Sequence, residues 1–133
     1  MEKKVILVVD DELEFLKMIR MRLEANYYEV VTATSGAEAL DKVSKYKLDA
    51  VLLDILMPGI DGLEALRRIR KMDESLPVYI ITAFSTDERF KAANKLGASG
   101  FIVKTDDLAK EVNNITSALD MSARFHKKGK RRE

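Results

Sequence analysis

Three aspartates, one threonine and one lysine stand where short apolar runs end. Asp10 and Asp11 close Val5–Val9, Asp54 closes Ala50–Leu53, Thr82 is the last residue of Val78–Thr82, and Lys104 directly follows Gly100–Val103. Carboxylates gathered in one cleft repel and raise one another's pKa unless a cation sits among them. A hard divalent ion would do this. Oxygen ligands with no His or Cys nearby in sequence suit Mg²⁺ or Mn²⁺ rather than Zn²⁺, and Mg²⁺ prefers one or two carboxylates plus waters and phosphate oxygens. The lysine adds a flexible positive charge for a phosphate. Phosphoryl transfer requires an in-line nucleophile and neutralisation of charge on the equatorial oxygens. A carboxylate can be that nucleophile, giving an acyl phosphate. Asp54 is the best-placed acid, because Met57-Pro58-Gly59 follows it and leaves backbone amides free to face an anion. The remaining acids would hold metal. Taken singly, each feature has a plainer reading: Asp10-Asp11 as a strand end or helix cap, Thr82 and Lys104 as strand and surface residues, Met57-Pro58-Gly59 as a turn.

Something must bring these groups together. The apolar runs, with Glu29–Ala33 as the fifth of them, are short, rich in β-branched residues and apolar without alternation, as in strands buried on both faces of a parallel sheet. Between them lie helical periods: Phe15, Leu16, Ile19 and Leu23 share a face, as do Leu63, Leu66 and Ile69, and Leu108, Val112, Ile115 and Leu119. Helix starts are marked by Ser35 with Glu38, Asp61 with Glu64, and Ser85 with Glu88. Gly97 is placed to stop the fourth helix. Five strands alternating with five helices predict a (βα)5 doubly wound α/β domain, whose sites lie beyond the carboxyl ends of the strands. All five polar groups then fall on one edge.

The 133 residues, 47% hydrophobic and 34% charged, suit one domain with an ordinary core. With no cysteine there is neither a disulfide framework nor a thiolate metal site, and a reducing cytoplasm is the expected compartment. Val5–Val9 is too short for a signal segment and is ended by acids, so it reads as a buried strand and no membrane segment is expected. Of the net charge of +1, residues 124–133 carry six basic groups against one acid, leaving the remainder at −4. A mildly acidic body with a basic tail is not the footprint of a nucleic-acid-binding fold. The tail reads as a solvated terminus, a linker to an output domain, or a patch for an acidic surface or nucleic acid, in that order, and His126 within it is not a plausible phosphoryl donor.

The segments Val8-Val9-Asp10-Asp11-Glu12, Leu53-Asp54-Ile55-Leu56-Met57-Pro58-Gly59-Ile60-Asp61-Gly62, Ile81-Thr82-Ala83 and Phe101-Ile102-Val103-Lys104 together resemble the response regulator receiver family of two-component signalling, over residues 4 to about 121. The resemblance implies a flavodoxin-like sheet of strand order 2-1-3-4-5, with a receiver domain at 1–122 and a flexible or linking tail at 123–133. It implies Asp54 as phosphoacceptor, Asp11 and Asp54 as direct Mg²⁺ ligands with the Leu56 carbonyl, and Asp10 as a ligand through water. Lys104 would pair with one phosphoryl oxygen and Thr82 with another. Thr82 and Phe101 would form the switch: as Thr82 moves toward the phosphoryl group, the Phe101 ring turns inward and reshapes the face of the fourth helix, fifth strand and fifth helix, where an output partner binds. The implied donor is a histidine kinase or histidine phosphotransfer protein, and a phosphorylation-linked dimer is allowed.

Two positions depart from the family pattern. Thr105 stands where a proline, often cis, usually follows the lysine. A cis bond to a non-proline costs ~3–4 kcal/mol, so either the surroundings offset that cost or the loop is trans and Lys104 enters differently. Phe101 replaces the commoner tyrosine, so switching would act through packing alone. Leu56 and Phe84, two residues after Asp54 and Thr82, are expected to slow self-dephosphorylation by excluding water they cannot orient. Two other readings compete. A metal-dependent phosphatase working through an aspartyl-phosphate would want an acid where Leu56 stands, and a receiver acting without phosphorylation would not need the intact set of polar residues.

Overall fold

The computed structural model describes residues 3–57, 59–83, 86–104 and 108–125, with side chains in the last stretch described at 110 and 113–120. Expectations for Pro58, Phe84, Ser85, Thr105, His126 and the rest of the tail, and for the side chains of Leu108 and Val112, lie outside these residues.

Ten elements alternate as predicted: β1 Lys4–Val9, α1 Leu13–Ala25, β2 Tyr28–Ala33, α2 Gly36–Lys45, β3 Ala50–Leu53, α3 Gly62–Met72, β4 Val78–Thr82, α4 Asp87–Lys95, β5 Gly100–Val103 and α5 Leu108–Phe125. The strands pair in parallel in the order β2-β1-β3-β4-β5. Successive side chains of a strand point to opposite faces, and here both faces are dry. Leu7, Val9, Val51, Leu53, Val78 and Ile80 meet Ala39 and Val43 of α2, Ala65, Leu66 and Ile69 of α3 and Ala93 of α4. Ile6, Val8, Ala50, Leu52, Tyr79 and Ile81 meet Leu16, Ile19 and Leu23 of α1 and Ile115 and Leu119 of α5. Burial on both faces is why β1, β3 and β4 read as continuous apolar runs. No described helix is long and apolar enough to cross a membrane.

The helix signals act through identifiable bonds. Ser35 Oγ accepts the Glu38 amide at 3.1 Å, and Glu38 reaches back to the Thr34 amide at 2.8 Å. Asp61 Oδ1 accepts the Glu64 amide at 2.9 Å. Glu64 does not close a capping box: it pairs with Arg67 and Arg68 at 2.6 and 2.8 Å, which holds its carboxyl at about 2. The start of α4 corrects the sequence reading, because its cap is Thr86, whose hydroxyl accepts the Arg89 amide at 3.1 Å, one residue after Ser85. Gly97, at φ +90, ends that helix as expected, with the Ala98 amide returning to the Ala93 carbonyl at 2.9 Å.

Arg70 ties the amino-terminal edge of the sheet, far from the candidate site. Its guanidinium donates to the carbonyls of Gly97 at 2.8 Å, Leu76 at 2.6 Å and Asp73 at 3.2 Å, joining the turn before β4 to the turn before β5. Arg70→Met keeps the packing of the stem and removes those charge-assisted bonds. We expect a loss of about 2 kcal/mol in urea unfolding, since water can replace only part of the bonding. An unchanged unfolding midpoint would show that these bonds carry no stability.

Candidate functional site

The strand ladder carries the chain directly into the site. The Asp10 amide donates to the Ala33 carbonyl at 3.1 Å, the Asp54 amide to Val9 at 3.0 Å and the Lys104 amide to Thr82 at 2.8 Å, so three of the polar residues are backbone-paired to a neighbouring strand end. Parallel pairing of β1 with β3 and of β4 with β5 aligns those ends, and the predicted residues Asp10, Asp11, Asp54, Thr82 and Lys104 converge. Asp10, Asp54 and Thr82 are buried and Asp11 is exposed. Carboxylate oxygens of Asp10, Asp11 and Asp54 lie within 4.8 Å of one another.

Gly62 fixes the loop that follows Asp54. Its amide donates to the Ile55 carbonyl at 3.2 Å, and a Cβ there would overlap the Asp54 carbonyl oxygen and Ile55 Cα. Gly36, at the start of α2, lies close against Ile60, where a Cβ would sit 2.5 Å from the carbonyl oxygen. The Leu56 amide turns back to Asp54 Oδ1 at 3.2 Å, so one amide of this loop does face the acid, and the Leu56 side chain is 39% exposed.

Lys104 is more constrained than its sequence position suggests. Its ammonium lies 2.5 Å from Asp10 Oδ2, 3.1 Å from Glu12 Oε1 and 3.8 Å from Asp54 Oδ2. It also sits 4.1 Å from the centroid of the Phe15 ring. Neither Glu12 nor Phe15 was a candidate from sequence. Glu12 extends the visible Asp-Asp pair by one acid and could have been included, whereas Phe15 is one position of a core stripe and carries no separate signal. Phe101 is half-buried and meets Phe90 of α4 edge to face, with ring centroids 5.6 Å apart and planes at 70°.

Burial pushes the Asp54 carboxyl above its ordinary 3.8, against the Leu56 amide, the Lys104 charge and a hydrogen bond from Thr82, all of which favour the ionised form. Burial likewise raises Asp10, opposed by its bond to Lys104. For Lys104, burial would lower the pKa, but the hydrogen bond and charge of Asp10, with Glu12 and Asp54, carry it above its ordinary 10.5. The stability Lys104 contributes is therefore full below 10.5 and is lost only as pH rises through the higher folded value. One ammonium shared among two aspartates and a glutamate, with Asp11 as a further acid beside them, leaves the pocket negative. An all-oxygen, net negative donor set of this kind fits a hard divalent cation.

A five-stranded doubly wound sheet with a carboxylate cluster and a lysine at the carboxyl ends of its central strands defines an acidic-pocket α/β domain. The chain matches the response regulator receiver domain family over residues 6–116, and it belongs to that family. The chemotaxis protein CheY of Treponema pallidum (strain Nichols) is 40% identical over 119 residues, covering 86% of this chain and 81% of that protein. The uncharacterized transcriptional regulatory protein YkoG of Bacillus subtilis (strain 168) is 34% identical over 119 residues, covering 90% of this chain and 52% of that protein. Among solved structures, a CheY-like response regulator receiver domain protein from Methanospirillum hungatei JF-1 matches with a TM-score of 0.85 at 27% identity, covering 92% of this chain and 98% of that one. The chain spans about half, or about a quarter, of the length of several other curated relatives it matches. Receiver domains are the signalling domains of two-component response regulators, not metabolic enzymes.

Proposed function

We propose that this chain is a phosphorylation-controlled receiver that takes a phosphoryl group on Asp54 from a histidine kinase or histidine phosphotransfer protein. The observation that carries the reading is the buried Asp54 with the Lys104 ammonium 3.8 Å from its Oδ2 and two further carboxylates within 4.8 Å. Asp11, Asp54 and the Leu56 carbonyl would hold Mg²⁺ directly and Asp10 through water, and Mn²⁺ shares the same donor preference. When bound, the ion supplies positive charge to the phosphate oxygens in a pocket otherwise too negative to admit them.

Asp54 Oδ1 is engaged by the Leu56 amide, which leaves Oδ2, on the Lys104 side, as the oxygen offered to phosphorus. The new O–P bond forms as the bond from phosphorus to the donor breaks, and the donor keeps that electron pair. Lys104 then pairs with a phosphoryl oxygen, and the Thr82 hydroxyl transfers its hydrogen bond from the carboxylate to another. Moving Thr82 vacates space beneath Phe101, whose inward turn would break its edge-to-face contact with Phe90 and alter the face of α4, β5 and α5. That face is the one offered to an output partner or to a second copy of the chain. In this reading residues 1–122 are the cytoplasmic receiver and 123–133 its tail or linker.

Incubating the chain with acetyl phosphate and Mg²⁺ and weighing it intact tests the proposal. One added phosphoryl group is expected, and chelating the metal should prevent it. A chain left unmodified by every donor that also binds no Mg²⁺ would remove the reading. The exposed apolar side chain at Leu56 bears on how long the group persists: an amide there can orient a water that leucine cannot. Leu56→Asn should therefore shorten the acyl-phosphate lifetime roughly fivefold, the worth of about one hydrogen bond in the transition state. An unchanged decay would show that Leu56 does not shield the bond.

A further inference from the structure

We propose that Phe15 is a positioning residue for phosphoryl transfer, its ring face holding the Lys104 ammonium beside Asp54. The inference rests on Asp54 as acceptor and Lys104 as its cationic partner. Three neighbours restrain the ammonium: Asp10 Oδ2 at 2.5 Å, Glu12 Oε1 at 3.1 Å and the Phe15 ring centroid at 4.1 Å. That ring distance is well inside the roughly 6 Å over which an aromatic face attracts a cation.

The direction of each restraint matters. A lysine ammonium is a point charge on a flexible stem, so its aim is set by its surroundings and not by its own shape. Asp10 is fully buried and pulls the charge into the pocket, whereas the Glu12 side chain is 67% exposed and pulls it toward solvent. Phe15 packs with the buried layer under α1, so its ring is a fixed surface and not a swinging one. It covers the ammonium on one side, and the Lys104 side chain is only 10% exposed. An aliphatic side chain in the same place would fill much of the volume but present no negative face. The ammonium would then lean onto Glu12 and away from Asp54. In the sequence, Thr105 follows Lys104, so no proline ring fixes φ at that position and the aim of the lysine depends on such contacts.

Phe15→Leu and Phe15→Tyr in the full chain distinguish this role from plain packing. Two quantities are read: the ring-current displacement of the Lys104 ε-methylene protons in Mg²⁺-free protein by NMR, and the second-order rate of Asp54 phosphorylation by acetyl phosphate with Mg²⁺. Phe15→Leu is expected to lose the ring-current displacement and to phosphorylate about tenfold more slowly. Its Mg²⁺ affinity should be kept, and Phe15→Tyr should retain both readouts. Should Phe15→Leu fail to fold, Phe15→Met takes its place. A wild-type rate in the aliphatic variant, or equal slowing in the tyrosine variant, overturns the role of the ring while wild-type phosphorylation leaves the functional reading standing. If the wild-type chain itself accepts no phosphoryl group, that reading falls and the positioning role falls with it.

Discussion

Asp54→Asn is expected to give a protein that accepts no phosphoryl group and yet is more stable than the wild type in the absence of metal. The first half follows from removing the only nucleophile the proposed chemistry has. The second follows from the sign of the Asp54 shift. Its folded pKa lies above the ordinary 3.8, so between the two values the folded state binds more protons than the unfolded one, and stability falls as pH rises through that window. The whole penalty is present once pH lies above the folded value. Replacing the carboxylate with a neutral amide removes it, and a gain on the order of 1–3 kcal/mol is expected, the scale of one poorly compensated buried charge. Mg²⁺ should offset most or all of that advantage, since a ligand at a hundredfold excess over its dissociation constant adds about 2.7 kcal/mol to the protein that binds it. Thermal unfolding of both proteins with Mg²⁺ and with a chelator measures this. A variant less stable than wild type without metal would mean that Asp54 is a structural partner of Lys104 and not an excess charge.

Gly62→Ala should be the most damaging alanine substitution among the described glycines. The added carbon would overlap the Asp54 carbonyl oxygen and Ile55 Cα and come within 2.8 Å of the Asp54 carbonyl carbon. All of these are backbone atoms, so no flexible side chain can yield. Either the first turn of α3 moves away from β3 or the strand end shifts. The expected cost is ~3 kcal/mol or more in chemical denaturation. Because two of the crowded atoms belong to Asp54, the proposed acceptor, and the third to the residue after it, phosphorylation should slow even in the molecules that remain folded. Near-wild-type stability would show that this loop is far softer than its contacts imply.

Much of this architecture was legible from residue order. β3 and β4 begin and end where the apolar runs do, because strands buried on both faces leave no polar position inside them to blur the limits, and the half-buried β5 keeps the bounds of its run as well. The convergence of Asp10, Asp54, Thr82 and Lys104 also followed, since a parallel sheet puts every strand's carboxyl end on one edge. Spacing does not report which neighbours a side chain meets once it arrives there. Glu12 and Phe15 touch Lys104 across some 90 positions of chain, and Phe15 looked like any other member of the α1 stripe until the fold set it at the rim. The cap of α4 shifted from Ser85 to Thr86 because adjacent hydroxyl residues are equivalent in pattern and only backbone dihedrals separate them.

The amides of Asp10, Asp54 and Lys104 are bonded to the strand beside them, while that of Leu56 is bonded to a carboxylate. The pocket thus has a stiff floor and one yielding rivet. In deuterium exchange the first three should trade their hydrogens about as slowly as the sheet, and Leu56 should trade faster. Its exchange rate would register whatever occupies Asp54.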